Sequence, residues 1–147
     1  MVVVRKAFAY ITNGSRLLVF EHPDHPDAGI QVPAGTIEPG EEPADAVMRE
    51  AFEETGLAGL KLAAYLGESE RDMSDFGIHE IHHRYFFHLL REGERPESWL
   101  HYETSPSDRE AQSPIRFRFY WVQFPCGVPD LIAGHGQMLD RLPKTLA

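Results

Sequence analysis

The sequence predicts a mixed α/β domain, and three observations carry that reading. Asn13-Gly14 joins two apolar runs near the amino terminus, Pro43 to Thr55 carries helical boundary signals, and further apolar runs follow downstream. Strands on both sides of one strong helix call for a sheet with a helix packed on it. The chain of 147 residues suits one domain spanning 1–147. It has no internal repeat, no low-complexity tract and no dividing linker.

In chain order, Val2 to Thr12 reads as a strand and Arg16 to Phe20 as its neighbour. Asn13 and Gly14 tolerate positive φ, which makes the link between them a hairpin. Glu21 to Gly29 is a polar loop with two prolines, Ile30 to Val32 a short strand, and Pro33 to Gly40 a segment broken by glycine and proline. The helix over Pro43 to Thr55 opens on a proline, whose missing N–H costs nothing at the first helical position, and stops at Gly56. Leu60 to Glu68 and Ile81 to Leu90 read as strands separated by the polar loop Ser69 to Gly77. Glu92 to Pro114 is long and polar, with Trp99-Leu100 as its apolar anchor. Ile115 to Phe124 is an aromatic-rich strand, and Gly136 to Leu142 is expected to form a short closing helix.

Composition narrows the function. Hydrophobic residues are 42% and charged residues 25%, which fits a globular chain that buries a core. The net charge of −9 argues against a nucleic acid polymer as partner, since phosphate neutralisation needs a basic footprint. A small phosphorylated substrate stays open, because a bound divalent cation reverses the local field. Cys126 is the single cysteine, so neither a disulfide framework nor a Cys-rich zinc site is expected. The apolar run Val2-Val3-Val4 is too short for a signal segment, and no run approaches a membrane span. A soluble, cytoplasmic protein without a membrane partner is the expectation.

On a helical wheel, Ala44, Val47, Met48, Ala51, Phe52 and Thr55 form the expected core face. Glu50, Glu53 and Glu54 fall roughly opposite, at i, i+3 and i+4, with the small Ala46 one turn earlier. Three carboxylates on one turn repel one another. At the carboxyl end of a helix they also oppose the macrodipole. Such a cluster is either a solvated acidic face or a site for a hard divalent cation, and the helix by itself leaves both open.

The preceding loop decides between them. Gly35, five residues, Glu41, seven residues, then Arg49-Glu50-Ala51-Phe52-Glu53-Glu54-Thr55-Gly56-Leu57 matches G-x5-E-x7-R-E-U-x-E-E-x-G-U, where U is apolar, at every fixed position. At residue frequencies near ~7%, seven fixed identities coincide by accident roughly once in ten million starting points or fewer. The pattern resembles the Nudix box, and the chain is identified as a member of the Nudix (MutT-like) hydrolases.

That resemblance implies a Nudix fold: an α/β/α sandwich around a mixed sheet, with the box as a loop-helix-loop. It implies metal-dependent hydrolysis, with Mg²⁺ or Mn²⁺, of a nucleoside diphosphate linked to a group X. The metal ligands it implies are Glu50, Glu53 and Glu54 together with the backbone carbonyl of Gly35. Glu53 and Glu50 are its catalytic carboxylates, oriented by Arg49 in an ion pair with Glu41. Glu38 stands where many members carry an acid. The proton acceptor is a box glutamate or a downstream loop residue such as Glu103 or Glu110. A fold-conserving module that binds nucleotide without turnover is the alternative, although such members usually have broken boxes. Small members often pair, so a homodimer is compatible.

Other features read more simply. On a strand, His79 and His83 share one face while His82 and His88 share the other, so three do not converge on a zinc ion. Arg116 and Arg118 either contact phosphate or meet solvent and carboxylates. Phe8, Tyr10, Phe76 and Tyr120 could stack a base, but core positions explain such aromatics as well. Gly134-His135-Gly136-Gln137 is a loop before the closing helix. The downstream proline of many ADP-ribose pyrophosphatases and the NADH-type signature are both missing. Nucleoside triphosphates, dinucleoside polyphosphates, ADP-ribose and nucleotide sugars remain open as substrates.

Overall fold

The structure is a computed structural model describing residues 1–103 and 115–146. Seven strands form one open mixed sheet: β1 (Val2–Asn13), β2 (Arg16–Glu21), β3 (Ala34–Thr36), β4 (Lys61–Asp72), β5 (Glu80–Leu90), β6 (Ser98–Glu103) and β7 (Ile115–Gln123). Their order is β4-β5-β1-β2-β7-β6, with β3 pairing on β1. Strands β1 and β5 run parallel over their whole length, Val2 opposite Glu80 through Thr12 opposite Leu90, and the other pairs are antiparallel. One edge of β1 is shared: Lys6–Phe8 pair with β3, while Thr12 and Asn13 pair with β2 across the Asn13-Gly14 turn. That sharing brings the start of the box against the central strand.

Alternation along β1 and β5 creates two cores. Ala7, Ala9, Ile11, Phe87 and Leu89 face the helix α1 (Pro43–Thr55), together with Phe20, Phe117, Phe119 and Trp121. Phe8, Tyr10 and Phe86 face the other way, under Leu131, Met138 and Leu142 of the carboxyl-terminal segment. Phe8 and Tyr10 are therefore core residues, Phe76 is exposed, and Tyr120 packs at the margin of the second core.

Several expected elements differ from those found. The strand expected at Ile30–Val32 is reduced to isolated bridges at Ile30 and Gln31, and the paired strand is the glycine-centred β3. Strand β4 runs through the expected loop to Asp72 because β5 offers a partner along its full length. Strand β6 forms inside the polar segment 92–114, recruited by pairing with β7 and by Trp99 stacking 5.3 Å from Phe119. In place of a closing helix over Gly136–Leu142, only a short 3-10 turn at Leu139–Arg141 forms. Among the described residues α1 is the one α-helix, and no helix is long and apolar enough to cross a membrane.

Candidate active site

Helix α1 begins at Pro43 and ends where Gly56 adopts the left-handed conformation (φ 74°), its N–H donating to the Phe52 carbonyl at 2.8 Å. The last turn carries two further caps from β6. Trp99 Nε1 donates to the Thr55 carbonyl at 3.0 Å, and His101 Nε2 donates to the Glu53 carbonyl at 2.9 Å. These donors satisfy carbonyls that a helix end otherwise leaves unpaired and offset the dipole beneath the acidic turn. Sequence reasoning missed both; the i, i+2 spacing of Trp99 and His101, which puts them on one face of a strand, is the signal that could have found them.

The buried face of α1 is rotated from the expected one toward the glutamates. Val47, Ala51 and Thr55 are buried as expected, and Ala44 and Met48 pack at the margin. Ala46, expected to leave an open surface, is fully buried, whereas Phe52, expected in the core, is 56% exposed. Glu54 is buried too, and accepts a hydrogen bond from the Ala34 N–H at 3.3 Å. The rotation follows from β3. The helix packs over β1 and β3 together, and its carboxylate side is drawn against the β3 backbone.

Gly35 permits that approach. A Cβ built on Gly35 would fall within the Glu50 carboxyl group, so no larger residue leaves room for Glu50 as placed. Arg49 organises the remaining acids. Its Nε and Nη2 reach the two Glu41 oxygens at 2.9 and 2.8 Å, a bidentate pair. Its Nη1 reaches Glu50 at 2.8 Å and Glu53 at 3.3 Å, and Nη2 also donates to the Thr36 carbonyl at 3.1 Å. The guanidinium holds the Glu41 carboxyl down to about 2, helped by the Glu38 N–H that donates to it, and the same pairing pushes Arg49 up.

Gly35, Glu41, Arg49, Glu50, Glu53 and Glu54 are thus gathered around β3 and the last turns of α1. Among the described residues, no three acidic, His or Cys side chains converge as a ready cage for a metal. The oxygens are not sealed off, since the Glu53 side chain is 57% exposed and Glu50 and Glu53 share a single Arg49 nitrogen. Of the downstream acids, Glu103 ends β6 and Glu110 lies outside the described residues. Arg116 and Arg118 meet carboxylates, Asp24 at 2.7 Å and Glu21 at 2.9 Å. His82 and His88 are buried, and His88 hydrogen-bonds Thr12 Oγ1 at 2.7 Å.

Comparison with known proteins identifies the family. A family profile described as NUDIX domain matches residues 3–124. The chain belongs to the Nudix family. Relatives of this Nudix hydrolase include diphosphoinositol polyphosphate phosphohydrolase 3-beta of Bos taurus, 40% identical over 75 residues, and the human 3-alpha protein, 39% identical over 75 residues. Each match covers 51% of this chain and 41% of the relative. Among solved structures, a MutT Nudix hydrolase from Burkholderia pseudomallei superposes with TM-score 0.61 at 18% identity, covering 97% of this chain and all of that one. The bifunctional NMN adenylyltransferase/ADP-ribose pyrophosphatase of Francisella tularensis, a complex with AMP and a manganese ion, gives 0.56 at 18% identity, covering 95% and 40%. At these identities the two structures speak for the fold.

Proposed function

We propose that this Nudix hydrolase cleaves a pyrophosphate bond in a nucleoside diphosphate linked to a further group, releasing a nucleoside monophosphate and a phosphorylated remainder, with Mg²⁺ or Mn²⁺ as cofactor. The observation that carries the reading is the seating of Glu50 against Gly35, with Arg49 bridging Glu41, Glu50 and Glu53. Glu50, Glu53, Glu54 and the Gly35 carbonyl carry hard oxygen donors of the kind that a divalent cation of this class prefers, and they would hold it. When bound, that cation neutralises phosphate charge and acidifies a water.

The chain's own residues do the rest. Arg49 keeps Glu50 and Glu53 side by side, and Glu41, ionised throughout the physiological range, keeps Arg49 in place. Glu53 is the most exposed of the set, and on this reading it takes the proton of the attacking water. The relatives named for diphosphoinositol polyphosphate support a diphosphate linkage as the target.

Hydrolysis of a panel of nucleoside triphosphates, dinucleoside polyphosphates, ADP-ribose and nucleotide sugars, with Mg²⁺, Mn²⁺ or chelator, tests the reading. Metal-dependent release of a monophosphate is expected, and Glu53→Gln should lower kcat by about 10²–10⁴-fold. Inertness across the panel with either metal present would overturn it in favour of a binding module.

A further inference from the structure

Helix α1 is preceded by Glu42, at the position where a side chain usually accepts from the first free N–H groups of a helix. Its carboxylate makes no such bond, and among the described residues the exposed side chain has no ionic partner. Glu42 instead lines a groove of about 480 Å³ between the start of α1 and strands β4 and β5. Tyr65, Tyr85 and Phe87 form the sheet wall of this groove, and Pro43 and Ala44 the helix wall. Glu68 is its second charged group.

An irregularity in the pairing of β4 with β5 builds the sheet wall. Tyr65 stands opposite Phe87 and Glu68 opposite Tyr85, while Leu66 is an extra residue without a partner on β5. Residues three apart on a regular strand point to opposite faces, and the bulge at Leu66 returns Tyr65 and Glu68 to the same one. Tyr85 and Phe87 share that face by simple alternation. The Tyr65 and Phe87 rings lie 5.2 Å apart, tilted by 46°, and Tyr65 stays 53% exposed at the sheet edge. His83 holds Glu68: its Nε2 donates to Oε2 at 2.7 Å, and its ring stacks on Tyr85 at 4.8 Å.

The lining thus combines three aromatic rings and two carboxylates and, among the described residues, no basic group. Arg5, outside the lining, lies 5.5 Å from the centre of the Tyr85 ring, so that ring already draws a cation. Burial and the Glu68 charge push the Tyr65 hydroxyl above its ordinary value, in keeping with a negative surrounding. Aromatic faces beside carboxylates favour a cation with apolar substituents, which meets the negative face of each ring and gives up little hydration. A hard metal ion is the wrong guest, since it demands oxygen ligands and holds its water. We propose that the groove binds a small organic cation of the quaternary ammonium class, seated against Tyr65, Tyr85 and Phe87 and neutralised by Glu42 and Glu68. The site begins eight positions before Glu50, roughly 12 Å away along α1, and is independent of the hydrolase reading.

Calorimetric titration of the full chain with choline, and with its uncharged isostere in which carbon replaces the nitrogen, tests the site. Choline should bind, and the isostere should bind at least about 10-fold more weakly, because charge alone distinguishes the two. Tyr65→Ala and Glu68→Gln should each weaken choline binding about 5-fold or more, while Glu53→Gln leaves it within about two-fold. Glu68→Gln keeps the side-chain volume, so it reads the charge even where Tyr65→Ala loosens the sheet edge. Potassium ions at the same concentration should not displace choline. No choline binding, equal binding of the isostere, displacement by potassium, or wild-type affinity in both groove variants would each overturn the site. Loss of binding in Glu53→Gln alone would move the cation to the acidic turn and overturn it equally.

Discussion

Gly35 and Glu50 define the site at the scale of single residues. Any side chain at position 35 competes with the Glu50 carboxyl group for the same space. Gly35→Ala needs no unusual backbone conformation, and the atoms it displaces are the free end of a flexible side chain. The fold should survive, with Tm within a few degrees of wild type. On the proposed reading activity should not, because Glu50 is then a catalytic group and its displacement by about 1 Å costs on the order of 10²-fold. A steady-state assay beside a thermal melt checks this, and a variant with near-normal kcat would mean that Glu50 need not sit against β3. Arg49 follows the same logic of geometry. Its planar fork serves Glu41 with two nitrogens and Glu50 and Glu53 with a third contact set, a task that the single ammonium of lysine does not reproduce.

At the scale of elements, α1 is positioned by two strands that its own periodicity does not report. Val47 is 1% exposed and Phe52 56%, although a simple wheel puts both on the core face. Val47→Ala should therefore cost about 2 kcal/mol through a cavity, while Phe52→Gln should change stability by no more than about 0.5 kcal/mol. Urea denaturation of the two variants separates them, and equal losses would contradict the rotated face. The box itself was legible because seven fixed identities at fixed spacing encode loop, helix and acids together. Helix α1 and the β1–β2 hairpin were legible because Pro43, Gly56 and Asn13-Gly14 act locally. The orientation of α1 was not legible, because it depends on β3, and β3 exists only through pairing with Lys6–Phe8. Strand β6 was hidden for a related reason. Its polar residues form a strand only once β7 offers an edge, and its caps on Thr55 and Glu53 bridge more than forty positions in sequence.

The whole molecule is two cores on one sheet, and the core away from α1 is closed by the segment around His135. The Val32 N–H donates to His135 Nδ1 at 3.2 Å, and the Tyr10 hydroxyl donates to the His135 carbonyl at 2.6 Å. Burial, with Arg84 nearby, lowers the imidazole from 6.5 to about 3, and burial lowers His82 and His88 in the same direction. Above pH 7 these rings are neutral in both folded and unfolded chains, so they add no pH dependence. Between about 6.5 and 3 the unfolded chain takes up a proton that folded His135 refuses. Stability therefore falls by about 1.4 kcal/mol for each pH unit of acidification across that window, on the order of a few kcal/mol in all. Glu41 adds to the same trend lower down: the stabilisation from its pairing is complete above 4.5 and is lost as pH falls toward about 2. The urea midpoint should therefore be flat from pH 8 to 7 and decline from about 6.5 downward. In His135→Asn, whose amide oxygen can still accept from Val32, the decline between 6.5 and 4 should be shallower. Parallel curves for the two proteins would show that the imidazole takes its proton inside the fold, and that the carboxyl-terminal segment does not seal this core against charge.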